Sequence, residues 1–192
     1  MVMTPEDFKR RLEELHQSVI APGLAFYAVY KALWPTGQVL GVINRFIGFF
    51  GLVRVALHGM MLMQFAKVFD KDSRAIGLTN LLRSAKEDVN RLTPHATRTD
   101  LEEMLTQLLK HEKQLEKIKR IKNTRLAHLD SRPYERVPLP KGELDRLVEA
   151  IQSVFKQLSY AHDRTGKDAS LLEEESGRHT GEILRILREV LK

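Results

Sequence analysis

From Gln38 to Phe69 the chain is apolar on nearly every side, and a segment of that kind must be sheltered all round. It predicts a central helix, buried by other helices of the same chain or by a partner subunit. Arg45 and Arg54 interrupt its longest uncharged stretches, and Asn44, His58 and Gln64 add further cost. A clean membrane span of about 20 residues is therefore not expected, and neither is a membrane partner. The glycines Gly37, Gly41, Gly48, Gly51 and Gly59 predict close approach of a neighbouring backbone, within a bundle or across an interface.

The remaining segments are long, read at helical period and lack Asn-Gly or Asp-Gly hairpin turns. An all-α bundle is the expected class. A first helix starts near Pro5 and ends at Pro22-Gly23 or, if these only bend it, runs toward Trp34 before Pro35-Thr36-Gly37. Asp70 to Ser73 breaks the apolar pattern and supplies cap-type residues ahead of a shorter helix, roughly Thr79 to Leu92, closed by Thr93-Pro94. Thr99 with Glu102 has the form of a capping box. It opens a long helix with Leu101, Met104, Leu105, Leu108, Leu115, Ile118, Leu126 and Leu129 on one face. Ser131 to Gly142, with three prolines, reads as a loop, and Glu143 to Arg164 as an amphipathic helix stopped by Gly166. The tail predicts a short helix, Leu171 to Ser176, and another from Thr180 to Leu191.

The chain has 192 residues, enough to bury a core without staples, and no cysteine, which excludes disulfides, thiol nucleophiles and thiolate metal sites. Met1 to Arg11 is polar and opens as a helix start, not as the charged-then-apolar run of a signal peptide, so a cytoplasmic location is expected. Lys and Arg outnumber Asp and Glu by 31 to 25, a net charge of +6. That balance favours polyanions without requiring one. The excess is concentrated between Lys110 and Arg125, where Lys113, Lys117, Lys119, Arg120 and Lys122 face only Glu112 and Glu116.

Within that stretch Lys122 falls in one row with Ile118 and Leu126, in the middle of the apolar stripe. Arg125 borders the stripe, and His128 lies a turn beyond it. Two accounts fit these residues. Either cations and an imidazole converge on a site near a helix end, or Lys122 reaches solvent along its stem while Arg125 and His128 cap the last carbonyls. Arg54 and His58 lie one turn apart on the apolar central helix. They either face a cleft or form an internal ion pair with Asp70 or another acid. Asp70 and Asp72 read as a cap and not as a divalent-ion site, and no metal is expected. His162 continues an apolar stripe as a satisfied core histidine, and Glu173-Glu174-Glu175 reads as a solvated face.

The run Lys122-Asn123-Thr124-Arg125-Leu126-Ala127-His128 resembles the motif of the HEPN ribonucleases. In that family an Arg is followed by a polar residue, and a His stands four to six positions beyond the Arg near the end of a bundle helix. Gln64-Phe65-Ala66-Lys67-Val68-Phe69-Asp70-Lys71-Asp72-Ser73-Arg74-Ala75-Ile76-Gly77-Leu78, followed by Asn80-Leu81-Leu82, is similar to the segment after the central helix in AbiU-type abortive-infection members. Arg125 to Asp130 resembles their Ala-His-x-Asp ending. The resemblance covers roughly residues 34–164.

It implies an up-and-down HEPN-like helical bundle over residues 1–166, with residues 167–192 as a C-terminal helical extension packing on the bundle or on a partner. It further implies metal-independent RNA cleavage without a cofactor, in phage defence or a toxin-antitoxin system, by a homodimer with RNA as substrate and an antitoxin protein as a further partner. His128 would be the general acid or base, Lys122 would stabilise charge on the phosphate, and Asn123 would orient His128. Lys119, Arg120, Arg125, Arg54 and His58 would bind RNA. Lys122 stands where the family has Arg, keeping the charge and losing the planar fork that grips phosphate. The resemblance therefore leaves a second outcome, a catalytically inactive helical adaptor of the same fold.

Overall fold

The computed structural model describes residues 3–34, 37–70, 72, 75–121, 141–168 and 170–191, with the backbone alone of Gln38 and Lys141. These residues form helices and no strand. Helix α1 (Pro5–Leu15) is capped by Thr4, whose hydroxyl accepts from the Asp7 N–H at 3.1 Å. A π-helical turn over His16–Ile20 carries the chain directly into α2 (Ala21–Ala32). Pro22-Gly23 thus does not end the first helical run. The π turn already interrupts the regular ladder where the N–H that Pro22 lacks would have donated.

The expected single central helix is two helices, α3 (Gly37–Arg45) and α4 (Ile47–Val68), broken at Phe46 (φ −122°, ψ 42°). The break lets Val42 and Ile43 of α3 pack with Phe50 over Leu33 in a small satellite core. The C-terminal half of α4 enters the main core through Met61, Leu62, Phe65, Ala66 and Val68. Its N-terminal half is largely bare: Leu52 and Val55 are 71% and 72% exposed. The expectation of shelter on all sides therefore holds for only half of the segment within this chain. By length and composition α4 is also sufficient to cross a membrane, contrary to the reading of its interrupted stretches.

Beyond α4, the expected helix over Thr79–Leu92 is two pieces, α5 (Leu78–Glu87) and α6 (Val89–Leu92), separated at Asp88 (φ −142°, ψ 65°). Gly77, just ahead of α5, lies so close to the end of α4 that an added Cβ would stand 3.1 Å from the carbonyl oxygens of Lys67 and Val68. The capping box is built by Thr97 and Asp100, not Thr99 and Glu102. The Thr97 hydroxyl accepts from the Asp100 N–H (3.2 Å), and the Asp100 carboxylate from the Thr97 N–H (2.7 Å). That earlier cap starts α7 (Arg98–Leu109), and the predicted long helix continues after a break as α8 (Glu112–Ile121). The break keeps Leu101, Leu108, Leu115 and Ile118 all in the core. Leu126, Leu129 and residues 131–140 of the predicted loop lie outside the described residues.

Helix α9 (Lys141–Asp163) starts earlier than expected, takes in Gly142, and ends before two left-handed residues, Arg164 (φ 60°) and Gly166 (φ 51°). The tail is one helix, α10 (Ser170–Val190), not two. Gly177 does not break it because α10 lies along α2, where a Cβ at Gly177 would sit 3.6 Å from that of Ala28. Packing offsets the roughly 1 kcal/mol by which glycine disfavours a helix interior. The main core joins Phe8 and Leu12 of α1, Leu24 of α2, Phe65 of α4, Leu82 of α5 and Phe155 of α9. The satellite core joins α3 and the start of α4 to Leu33 and to Leu184 of α10.

Candidate functional site

Lys122, Asn123, Arg125 and His128 lie outside the described residues; the helices on either side of that segment are placed. Near the end of α8, Lys119 donates from Nζ to the carbonyl oxygen of Phe69 at 2.8 Å. It thus closes the C-terminal end of α4, the arrangement a cation at a helix end favours. Lys117 pairs with Glu143 of the first turn of α9 at 3.7 Å. Arg120 is exposed. The basic helix is therefore tied to both the end of α4 and the start of α9, and two of its cations take part in that tie.

Arg54 and His58 do not pair with Asp70. They lie against Tyr30 of α2 and Trp34 just beyond its end, which with Tyr27 recur at helical spacing. The Arg54 guanidinium carbon is 5.9 Å from the Tyr30 ring centre and 5.6 Å from that of Trp34. His58 stacks on Tyr30 at 5.3 Å. Trp34 meets the edge of Tyr30 at 5.7 Å. With Leu144 and Asp145 of α9 these rings enclose about 20 Å³, room for roughly one water. Asp145 belongs to the other side of this cluster, accepting from the Tyr27 hydroxyl and lying 3.9 Å from Lys31. Burial, then the Asp145 contact, pushes the Tyr27 hydroxyl well above its usual range.

Sequence reading found Arg54 and His58 but missed Tyr27, Tyr30, Trp34 and Asp145. The aromatic spacing along α2 was the available signal, whereas the approach of α9 was not encoded locally. Glu173 is a correction: it is half-buried, accepts from the Gln152 amide, and burial raises its pKa, so it does not belong to a solvated face. It borders a groove of about 580 Å³ between α2, α9 and α10, which carries Lys31 and Arg178 against Glu173 and Glu174. Charges of both signs give that groove no preference for a polyanion. His162 is satisfied, with Nδ1 donating to the Leu92 carbonyl at 2.6 Å, but it is half-buried and lies at the edge of the core, against Phe8. Asp70 accepts from the Asp72 N–H at 3.1 Å in a local turn and does not cap α5, whose N-cap position is Gly77 without a side-chain cap.

Among the described residues three histidines have lowered pKa values: His58 through burial and then Arg54, His16 through burial and then Lys167, and His111 through burial and then Arg146. The unfolded chain then binds more protons than the folded one below the ordinary histidine value of about 6.5. Stability is expected to be level well above that pH and to fall as pH drops through about 6.5 and below. Thermal unfolding across that window checks it, and a Tm that rises on acidification would contradict it.

The HEPN-class family model described as AbiU2 matches residues 5–183. No curated protein and no solved structure matches the chain. A match over so much of the sequence, joined to a strand-free helical bundle in the described residues, fixes the family: the chain belongs to the AbiU2 family of HEPN domains, the abortive-infection-related group that its Lys122–His128 and Gln64–Leu78 segments resemble.

Proposed function

We propose that this HEPN domain is a homodimeric, metal-independent endoribonuclease of a phage-defence or toxin-antitoxin system. The observation that carries the reading is the Lys122-Asn123…His128 run, placed in sequence directly after the basic helix α8 of an AbiU2 chain. In the proposed reaction the RNA 2′-oxygen loses its proton and bonds to the adjacent phosphorus, and the bond from phosphorus to the 5′-oxygen breaks. A 2′,3′-cyclic phosphate and a 5′-hydroxyl result. His128 moves a proton at one of these oxygens, and Lys122 stabilises the charge gathering on the phosphate. Asn123 orients His128, while Arg120 and Arg125 hold flanking phosphates.

The bare half of α4 supports the dimer. Ile47, Phe49, Leu52 and Val55 are exposed there, and a Cβ at Gly41, Gly48 or Gly51 would meet nothing within 4 Å. The close approach these glycines permit is not used among the described residues, and an isologous contact along α4 would use it. Leu52→Glu places a charge at that contact. It is expected to weaken dimerisation at least about 30-fold, the scale of a buried hot-spot residue, with the helical circular dichroism unchanged. Sedimentation velocity over a concentration series checks this, and an unchanged dimer would remove α4 from the interface.

Lys122 in place of Arg favours a second reading, a catalytically inactive RNA- or protein-binding adaptor. Incubating purified protein with labelled mixed RNA in EDTA separates the two. Cleavage leaving cyclic phosphate ends supports the nuclease, and intact RNA at high protein concentration supports the adaptor.

A further inference from the structure

From Leu15 to Phe69 the chain contains no Asp or Glu, while Lys31, Arg45, Arg54 and Lys67 supply positive charge. Lys31 lies over Tyr27 and is paired with Asp145, whereas Arg54 lies against two aromatic rings. Arg54 is half-buried, clamped by Tyr30 and Trp34, and its Nε is buried without a hydrogen-bond partner. Among the described residues no carboxylate pairs with it. The nearby acid, Asp145, is engaged by Tyr27 and Lys31. A partly desolvated guanidinium without a counter-ion is costly, and the cation–π contacts offset only part of that cost.

We propose that the Arg54 clamp, between the C-terminal end of α2 and α4, is a phosphate-binding subsite, with Tyr30 and Trp34 holding the guanidinium so that its terminal N–H groups meet one phosphate group. The rings fix the plane of the fork in advance, which reduces the side-chain freedom lost on binding. His58, stacked on Tyr30 and adjacent to Arg54, is kept neutral near pH 7 by burial and by Arg54. It therefore adds a hydrogen-bonding imidazole without a second charge to desolvate. The small cavity beside the clamp is lined by Tyr30, Trp34 and His58 but not by Arg54 and is too small for a phosphate, so the group meets the guanidinium outside that cavity. The subsite rests on the RNA reading for one of its two sources of phosphate, a nucleic-acid backbone; free phosphate or a mononucleotide is the other.

Trp34 is the only tryptophan in the chain, so its emission reports on the clamp directly. Full-length protein is titrated with a 2′-O-methyl oligonucleotide, which cannot be cleaved through its 2′ position, and separately with inorganic phosphate and adenosine monophosphate. Binding of the oligonucleotide is followed in parallel by anisotropy. The expected result is a saturable change in Trp34 emission with the oligonucleotide. Arg54→Gln, which retains a stem over the rings, is expected to weaken binding about tenfold and lower the salt slope by about one. Arg54→Lys is expected to keep the slope while losing affinity.

If the oligonucleotide binds with unchanged emission, or Arg54→Gln leaves affinity and slope as in the wild type, the subsite is overturned and the RNA reading stands. If no oligonucleotide binds but phosphate or the mononucleotide shifts Trp34 emission, the RNA reading falls and the subsite is one for free phosphate. No response to any of the three ligands overturns the subsite. An emission that changes with protein concentration and then no longer responds to any of the ligands also overturns it.

Discussion

Replacing His128 by alanine is expected to reduce RNA cleavage by about 10²–10⁴-fold, the range supplied by one positioned general acid or base. An imidazole is suited to that step because its ordinary pKa, about 6.5, leaves both protonation states accessible near neutral pH. Lys122→Ala is expected to lower the rate by roughly 10²–10³-fold through loss of charge stabilisation alone. Lys122→Arg, which restores the planar fork of the family motif, is expected to retain or raise the rate. Single-turnover cleavage of end-labelled RNA, with protein above the dissociation constant, measures the chemical step apart from binding. If His128→Ala cuts as fast as wild type, the motif is not the catalytic centre. If the wild type is inert and Lys122→Arg creates activity, the native chain is the adaptor and lysine is the reason.

Phe65→Ala should produce the largest loss of stability among single truncations of α4, about 3–5 kcal/mol. Phe65 is fully buried in the main core, and its ring edge would lie 3.1 Å from a Cβ added at Gly23. The ring therefore fills the place where α2 and α4 come closest. Removing it leaves a cavity that neither helix can close, because α2 is also held by α10 and α4 by α8. For a chain of this length the midpoint should fall by roughly 10 °C, measurable by chemical or thermal unfolding. Phe49→Ala, on the bare half of the same helix, should alter the intrinsic stability of the monomer by less than about 0.5 kcal/mol. Comparable losses for the two variants would show that α4 is uniformly buried in solution, by a partner along its whole length.

The family was legible because its evidence is local. The residues around Lys122–His128 and the Phe69-Asp70-Lys71-Asp72 segment stand in order along the chain and need no tertiary contact to be recognised. The helical class was equally legible, since apolar residues recurring at helical spacing, as in α9, specify a buried face whatever covers it. Element ends were less so. Thr97 and Thr99 are both followed three residues on by an acid able to form a capping box, and the choice of Thr97 became visible only with the cap hydrogen bonds. Likewise the tail reads as two helices, Leu171–Ser176 and Thr180–Leu191, and the packing of Gly177 against Ala28 of α2 joins them into one.

The sequence by itself determined an all-helical HEPN chain of AbiU2 type, with its basic residues gathered ahead of a Lys-Asn…His motif and an apolar segment from Gln38 to Phe69 to be buried. Periodicity, capping chemistry and motif spacing all act over a few residues, so the primary structure carries them. The tertiary structure decided that this segment breaks at Phe46 and that only its second half is buried within the chain. It also decided that Lys119 closes α4 and that Arg54 meets Tyr30 and Trp34 instead of an acid. These depend on which helices cross and where. Such crossings join residues far apart in sequence and are set by how the whole core packs, which no local pattern encodes.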